Sequence, residues 1–218
     1  MRIGLLGTGN VGRTLAAKLV DVGHEVRMGS RTPDNPDAAD WVQATGERAS
    51  QGTFADAAAF GELVFNCTSG AASLAALTAA GAESLDGKVL VDVSNALAFT
   101  EGVPFPTGLF VDTTESLAER IQAAFPKVRV VKTLNTMNTD VMVDPSTVPG
   151  AHDVFVAGND DGAKDEVKAI LRSFGWGGDQ IVDLGDLTGA RGMEMYLILW
   201  LRLFQTFGTP RLNIHVAR

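Results

Sequence analysis

The sequence predicts an α/β protein: a Rossmann-type doubly wound parallel sheet with a small C-terminal α/β extension that ends in a long helix. Three observations predict it. The apolar run Ile3-Gly4-Leu5-Leu6 breaks at once into spaced glycines, Gly7, Gly9 and Gly12. In that spacing the first glycine makes a turn, the second lets backbone approach a pyrophosphate, and the third packs helix against strand. Short apolar runs then alternate with helix-like segments along the chain, the pattern of parallel strands joined by crossover helices. Finally, the residues that follow these runs are small and hydrogen-bonding, as expected where strands end at a ligand edge.

Taken in order, the first strand and its glycine turn lead into a helix in which Val11, Leu15 and Leu19 recur at helical spacing, with Gly23 placed as its C-cap glycine. Glu25 to Gly29 reads as the second strand and completes a βαβ unit. Ser30 to Asp37 carries two prolines and is a loop; Ala38 to Ala49 is expected to be a helix, followed by a short strand near Thr53-Phe54. Leu63-Val64-Phe65, Val89 to Val93 and Val128 to Val131 are the central strands, separated by Ala-rich or amphipathic crossover segments. Ala98 to Thr113, with Pro104 and Pro106, has no clear periodicity and is expected to be a loop over the carboxyl edge. Beyond Asn135, Val154 to Gly158 is a strand, Gly162 to Ser173 a helix, Ile181 to Asp183 a strand and Thr188 to Phe207 a final helix.

A chain of 218 residues, 45% hydrophobic and 20% charged, has an ordinary globular composition. Its net charge of −8 argues against a nucleic-acid or anionic-membrane partner, because both require clustered Lys and Arg. The single cysteine, Cys67, leaves no internal disulfide. The first residues enter a strand directly, and the apolar stretch from Tyr196 to Phe207 is too short for a spanning helix and contains Arg202. A cytoplasmic protein is expected.

The strand ends bring together Gly7-Thr8-Gly9-Asn10-Val11-Gly12, then Ser30-Arg31-Thr32, Cys67-Thr68, Asn95, and Lys132 through Thr136. Enzymes that prefer NAD place a carboxylate about 20 residues after the glycines to hold the ribose 2′-hydroxyl. Ser30, Arg31 and Thr32 stand there instead. An arginine between two hydroxyls suits a 2′-phosphate, so the expected cofactor is NADP(H). Cys67 has no recognisable histidine partner, and His24, His152 and His215 are scattered, so neither a catalytic nucleophile nor a metal site is assigned. Asp183 and Asp186 read as a turn and a helix N-cap. The last helix is apolar nearly all round, which fits core packing, a homodimer interface or the wall of an aromatic-ligand groove.

With Gly7-Thr8-Gly9-Asn10-Val11-Gly12, Gly29-Ser30-Arg31-Thr32, Val131 through Thr136, and Ala190 to Glu194 through Trp200-Leu201, the sequence resembles the NADPH-dependent coenzyme F420 reductase family over essentially its full length. The resemblance implies an NADP-binding Rossmann domain over residues 1–136. It makes residues 137–218 a small extension or cap that completes the second-ligand groove. The implied activity is hydride transfer between NADPH and the deazaflavin F420, or a flavin-like acceptor such as FMN or FAD, with no catalytic side chain required. It places Thr8 to Val11 on the pyrophosphate, Ser30 and Arg31 on the 2′-phosphate, and Cys67, Thr68 and Asn95 along ribose and nicotinamide. Asn135, Thr136 and Met137 would approach the second ring system. Two alternatives stay open. One is an NADPH-dependent reductase of a small carbonyl or imine, with Lys132, Tyr196 or Asp112 as proton donor. The other is a non-enzymatic NADP(H) sensor that signals through the apolar C-terminal helix.

Overall fold

In the computed structural model, which describes residues 1–217, the glycine turn lies at the point where the strand order of the sheet reverses. The strands are β1 (Arg2–Leu6), β2 (Glu25–Ser30), β3 (Ala49–Thr53), β4 (Leu63–Asn66), β5 (Val89–Asp92), β8 (Arg129–Thr133), β9 (Val154–Gly158) and β10 (Ile181–Asp183). They form one sheet in the order β10-β9-β8-β5-β4-β1-β2-β3. The first six in sequence are parallel, and the crevice between the diverging halves opens above β1 and β4, where such sheets hold ligands. Two short strands outside the sheet, β6 (Leu97–Ala98) and β7 (Gly108–Leu109), pair antiparallel above its carboxyl edge.

Both faces of the sheet are buried, as a parallel sheet requires. Ile3, Leu5, Leu63, Phe65, Val89 and Val91 face one cluster, packed by α1 (Asn10–Asp21), α2 (Pro36–Thr45), α7 (Thr139–Val143) and α8 (Asp161–Ser173). Leu6, Val64 and Leu90 face the other, with α3 (Phe54–Phe60), α4 (Gly70–Ala80), α5 (Ala82–Leu85), α6 (Leu117–Ala124) and the start of α9 (Gly189–Phe207). Alternating side chains along β1 serve the two faces in turn, which fixes its register. Among the described residues, no helix is long and apolar enough to cross a membrane.

Several boundaries differ from the sequence expectation. Helix α1 ends in a Schellman motif: Gly23 N donates to Val20 O and His24 N to Leu19 O, both at 3.0 Å, and Gly23 takes φ 99° just beyond the Val22 C-cap. Helix α2 stops at Thr45, so Ala49 begins β3, an edge strand whose residues lack an apolar pattern. Phe54 belongs to α3, because Thr53 and Asp56 form a capping box there. The loop over Ala98 to Thr113 carries part of the β6–β7 ladder. Strand β8 continues through Lys132 and Thr133, and Leu134, buried with φ 63°, turns the chain out of it.

Strand β9 runs against β8, with Thr133 opposite Val156 and Val131 opposite Gly158. The following βαβ unit therefore delivers α9 to the amino edge of the parallel strands. From there α9 crosses back over β9: a Cβ on Gly189 would lie 3.2 Å from Ala157, and Met193 packs with Phe155. Met193 O reaches Asn135 Nδ2 at 3.0 Å, so this turn of α9 stands at the carboxyl edge.

Candidate cofactor site

The chain leaves β1 through Gly7, whose φ of 116° is open to glycine and strained for other residues. Gly7 N donates to Gly29 O at 2.9 Å, which ties the turn to the end of β2. A Cβ on Gly7 would stand 2.8 Å from Cys67 O, and one on Gly12 2.3 Å from Gly7 O. A Cβ on Gly9 would meet nothing within 4 Å. The first and third glycines are thus required by packing inside the protein, while the middle one borders open space that a pyrophosphate can approach.

The helix starts support the same reading. In α2, α3, α6, α7 and α8 an N-cap side chain accepts a backbone N–H, and an acidic residue sits in the first turn. The two helices that begin at the crevice, α1 and α4, have neither, a lack shared by α9 away from it. Their free N–H groups and positive dipole ends are left for an anion from outside.

A cleft of about 870 Å³ runs along this edge, lined by Gly7, Thr8 and Gly9, by Ser30 and Arg31, and by Cys67 and Thr68. Its far wall is the face of α4 bearing Ala72, Ala75, Ala76 and Ala79, whose short side chains leave room for a flat base. Asn35, Thr53, Phe54 and Ser69 complete it. Ser69 follows Cys67 and Thr68 at the end of β4, whereas the α4 alanines, Asn35, Thr53 and Phe54 are not among the sequence candidates. The alanine spacing was visible there, whereas Phe54 was hidden by its assignment to a strand. Arg31 makes no ion pair among the described residues and is exposed, in a chain where most other cations are paired. Thr32 N donates to Ser30 Oγ at 3.2 Å and Ser30 Oγ donates to Thr32 O, a local turn that aims Ser30 and Arg31, but not Thr32, into the cleft.

A second cavity of about 360 Å³ continues the cleft past Gly9, Cys67 and Thr68 to Asn10, Val11 and Asn95, and ends at Leu97 and Phe99. Its floor is a buried polar network. Asn66 Nδ2 donates to Asp92 Oδ1 at 2.9 Å, Thr68 Oγ1 to Asn66 Oδ1 at 2.7 Å, and Ser94 Oγ to Asp92 Oδ1 at 2.7 Å. Lys132 Nζ lies 2.8 Å from Asp92 Oδ2 and 3.0 Å from Glu194 Oε1, with all three side chains fully buried. Burial pulls the Lys132 ammonium down, but the Asp92 and Glu194 carboxylates outweigh it and hold the group above its ordinary range. Glu194 also accepts from Leu117 N at 2.9 Å and Ala118 N at 3.3 Å, so α9 caps the start of α6.

Asn135 exchanges hydrogen bonds with Asn95: Asn95 Nδ2 donates to Asn135 O at 3.1 Å and Asn135 Nδ2 to Asn95 Oδ1 at 3.0 Å. Asn135 and Met137 are buried and line neither cavity. Thr136 lines a separate cavity of about 140 Å³ with Tyr196 and Phe155. Burial, then the Asp92 charge, push the Cys67 thiol well up, so it stays protonated. Of the three proton-donor candidates, none reaches the cleft. Lys132 is locked between carboxylates, Tyr196 faces the small cavity with burial raising its hydroxyl to about 12, and Asp112 accepts from Thr114 N at 2.7 Å outside it.

Residues 2–96 match the family model described as NADP oxidoreductase, coenzyme F420-dependent. Over 99% of both chains the protein is 50% identical, with a TM-score of 0.91, to a "putative F420-dependent NADP-reductase" from Arthrobacter sp. FB24. The chain belongs to the NADP-dependent oxidoreductase family. This oxidoreductase is also 29% identical, over 97% of its own length, to metalloreductase STEAP3 of Rattus norvegicus, but spans only 38% of that protein. An imine reductase from Streptomyces aurantiacus shares its fold at 20% identity and a TM-score of 0.64, covering 95% of this chain and 63% of that one.

Proposed function

We propose that this oxidoreductase binds NADP(H) along the carboxyl edge and passes hydride between it and a deazaflavin or flavin-like acceptor. One observation carries the reading: among the described residues, Arg31 is the only charged side chain lining the two cavities. A reductase of small carbonyls or imines needs a proton donor at the nicotinamide, and among the described residues no carboxyl, imidazole, ammonium or phenol group lines the two cavities. A conjugated ring system needs alignment and exclusion of water, since the cofactors carry the redox chemistry.

In this reading Ser30 and Arg31 take the 2′-phosphate by charge-assisted hydrogen bonds. The N–H groups at the start of α1 hold the pyrophosphate over Gly9. The alanine face of α4 receives the adenine, and Thr68, Cys67 and Asn95 flank the nicotinamide end. Asn135 acts through Asn95 and does not touch ligand. A second copy of this chain is the proposed cover for the outer half of α9.

The test is direct. Mixing the protein with NADPH and oxidised F420 should bleach the deazaflavin absorbance. Absence of NADPH oxidation with F420, FMN and FAD alike would sink the proposal, and saturable NADPH binding without turnover would favour the sensor instead.

A further inference from the structure

The nicotinamide end has an apolar rim. Leu97 and Phe99 line the second cavity beside Asn95 and Val11. Residues two apart on an extended segment share a side, so both close its outer end while Ala98 faces away. Leu97 is half-buried, but Phe99 leaves 67% of its surface exposed. The chain on either side of it is nonetheless held. Ala98 O accepts from Thr107 N at 2.9 Å, Phe110 N donates to Ala96 O at 2.9 Å, and the hydroxyls of Thr100 and Thr107 meet at 2.9 Å. Val103, Phe105 and Phe110 on the same excursion are 44%, 46% and 36% exposed. A bare aromatic ring on a braced segment, at the mouth of an uncharged cavity, offers a face on which a planar ligand can stack.

We infer that Phe99 is the residue that receives the hydride acceptor: its ring, with Leu97 behind it, is the wall against which a planar conjugated acceptor lies. This rests on the acceptor reading above. It moves the acceptor wall to the β6 segment and away from Asn135 to Met137. Planarity becomes the selected property, because a small carbonyl compound offers no face to stack.

The experiment is steady-state oxidation of NADPH with F420 and with FMN by the wild type and by Phe99→Ala, Phe99→Leu and Phe99→Tyr. NADPH affinity is measured separately from its fluorescence. Phe99 is mostly exposed, so all three variants should keep the wild-type circular dichroism and thermal midpoint. The expected result is a KM for the acceptor raised at least tenfold by Ala, raised by Leu, and restored to within about threefold by Tyr, with NADPH affinity changed less than twofold. An unchanged acceptor KM in Phe99→Ala overturns this inference and leaves the hydride-transfer reading standing. So does a loss of NADPH affinity equal to the rise in KM. No turnover by the wild type with any acceptor overturns both.

Discussion

Arg31 is exposed and has no carboxylate partner among the described residues, although the chain has 26 acidic residues against 18 basic ones. Replacing it with Ala should weaken NADPH binding by about 10- to 100-fold, the loss expected when one or two charge-assisted hydrogen bonds go. NADH binding should change little. Fluorescence titration with both nucleotides checks this, and equal losses would remove Arg31 from the 2′-phosphate. This part of the site was legible because glycine spacing and a strand end are local patterns. Asn135 shows the limit. In sequence it is one more polar residue after an apolar run, and only the left-handed turn at Leu134 tucks it beneath Asn95. Lys132 is similar: the sequence does not say that β8 reaches as far as Thr133 and seals the ammonium between two carboxylates.

At the scale of elements, α6 and α9 are joined by charge as well as by packing. Arg191 Nη2 lies 2.6 Å from Glu119 Oε1, and the same Glu119 closes the Ser116 capping box. The Arg191 hydrogen bonds, with those of Ser116, hold the Glu119 carboxyl below its ordinary value of 4.5 against the opposing pull of burial. The folded state thus favours the ionised form more than the unfolded chain does. The stabilisation is fully present above the unfolded value of 4.5 and is lost as pH falls through the lower folded value. Glu119→Gln should cost about 1 kcal/mol at pH 7, a fall of roughly 2–4 °C in Tm. The gap between variant and wild type should narrow as pH falls below 4.5, as thermal melts across acidic pH would show. A gap that stays constant would remove the ionised form from the account. Strands and helices with strong apolar period were legible, whereas the short strand expected near Thr53-Phe54 lies earlier, at Ala49–Thr53, because Ala49-Ser50-Gln51-Gly52 has no such pattern to mark it. Nor was the direction of β9, since Val154 to Gly158 reads the same parallel or antiparallel.

At the scale of the whole molecule, the outer half of α9 is the unfinished surface. Seven of the ten residues from Ile198 to Phe207 are apolar and none is buried, with Leu199 54% and Phe207 65% exposed. If a second copy covers it, light scattering should find a dimer, and Ile198→Glu with Leu199→Glu should give a folded monomer. A monomeric wild type would end that proposal. The reversal of β9 also has a mechanical consequence. It turns α9 so that the helix is rooted at the carboxyl edge by Met193 O on Asn135 and by Glu194 on Lys132. The ten residues from Ile198 to Phe207, none of them buried, then extend about 15 Å past the buried Leu197, at 1.5 Å per residue. Beyond its far end the chain is pinned again, where Asp153 N donates to Ile214 O at 2.8 Å and Arg211 meets Asp140 at 3.3 Å, so the outer half of α9 is a strut held at both ends and only its side faces are left for a partner.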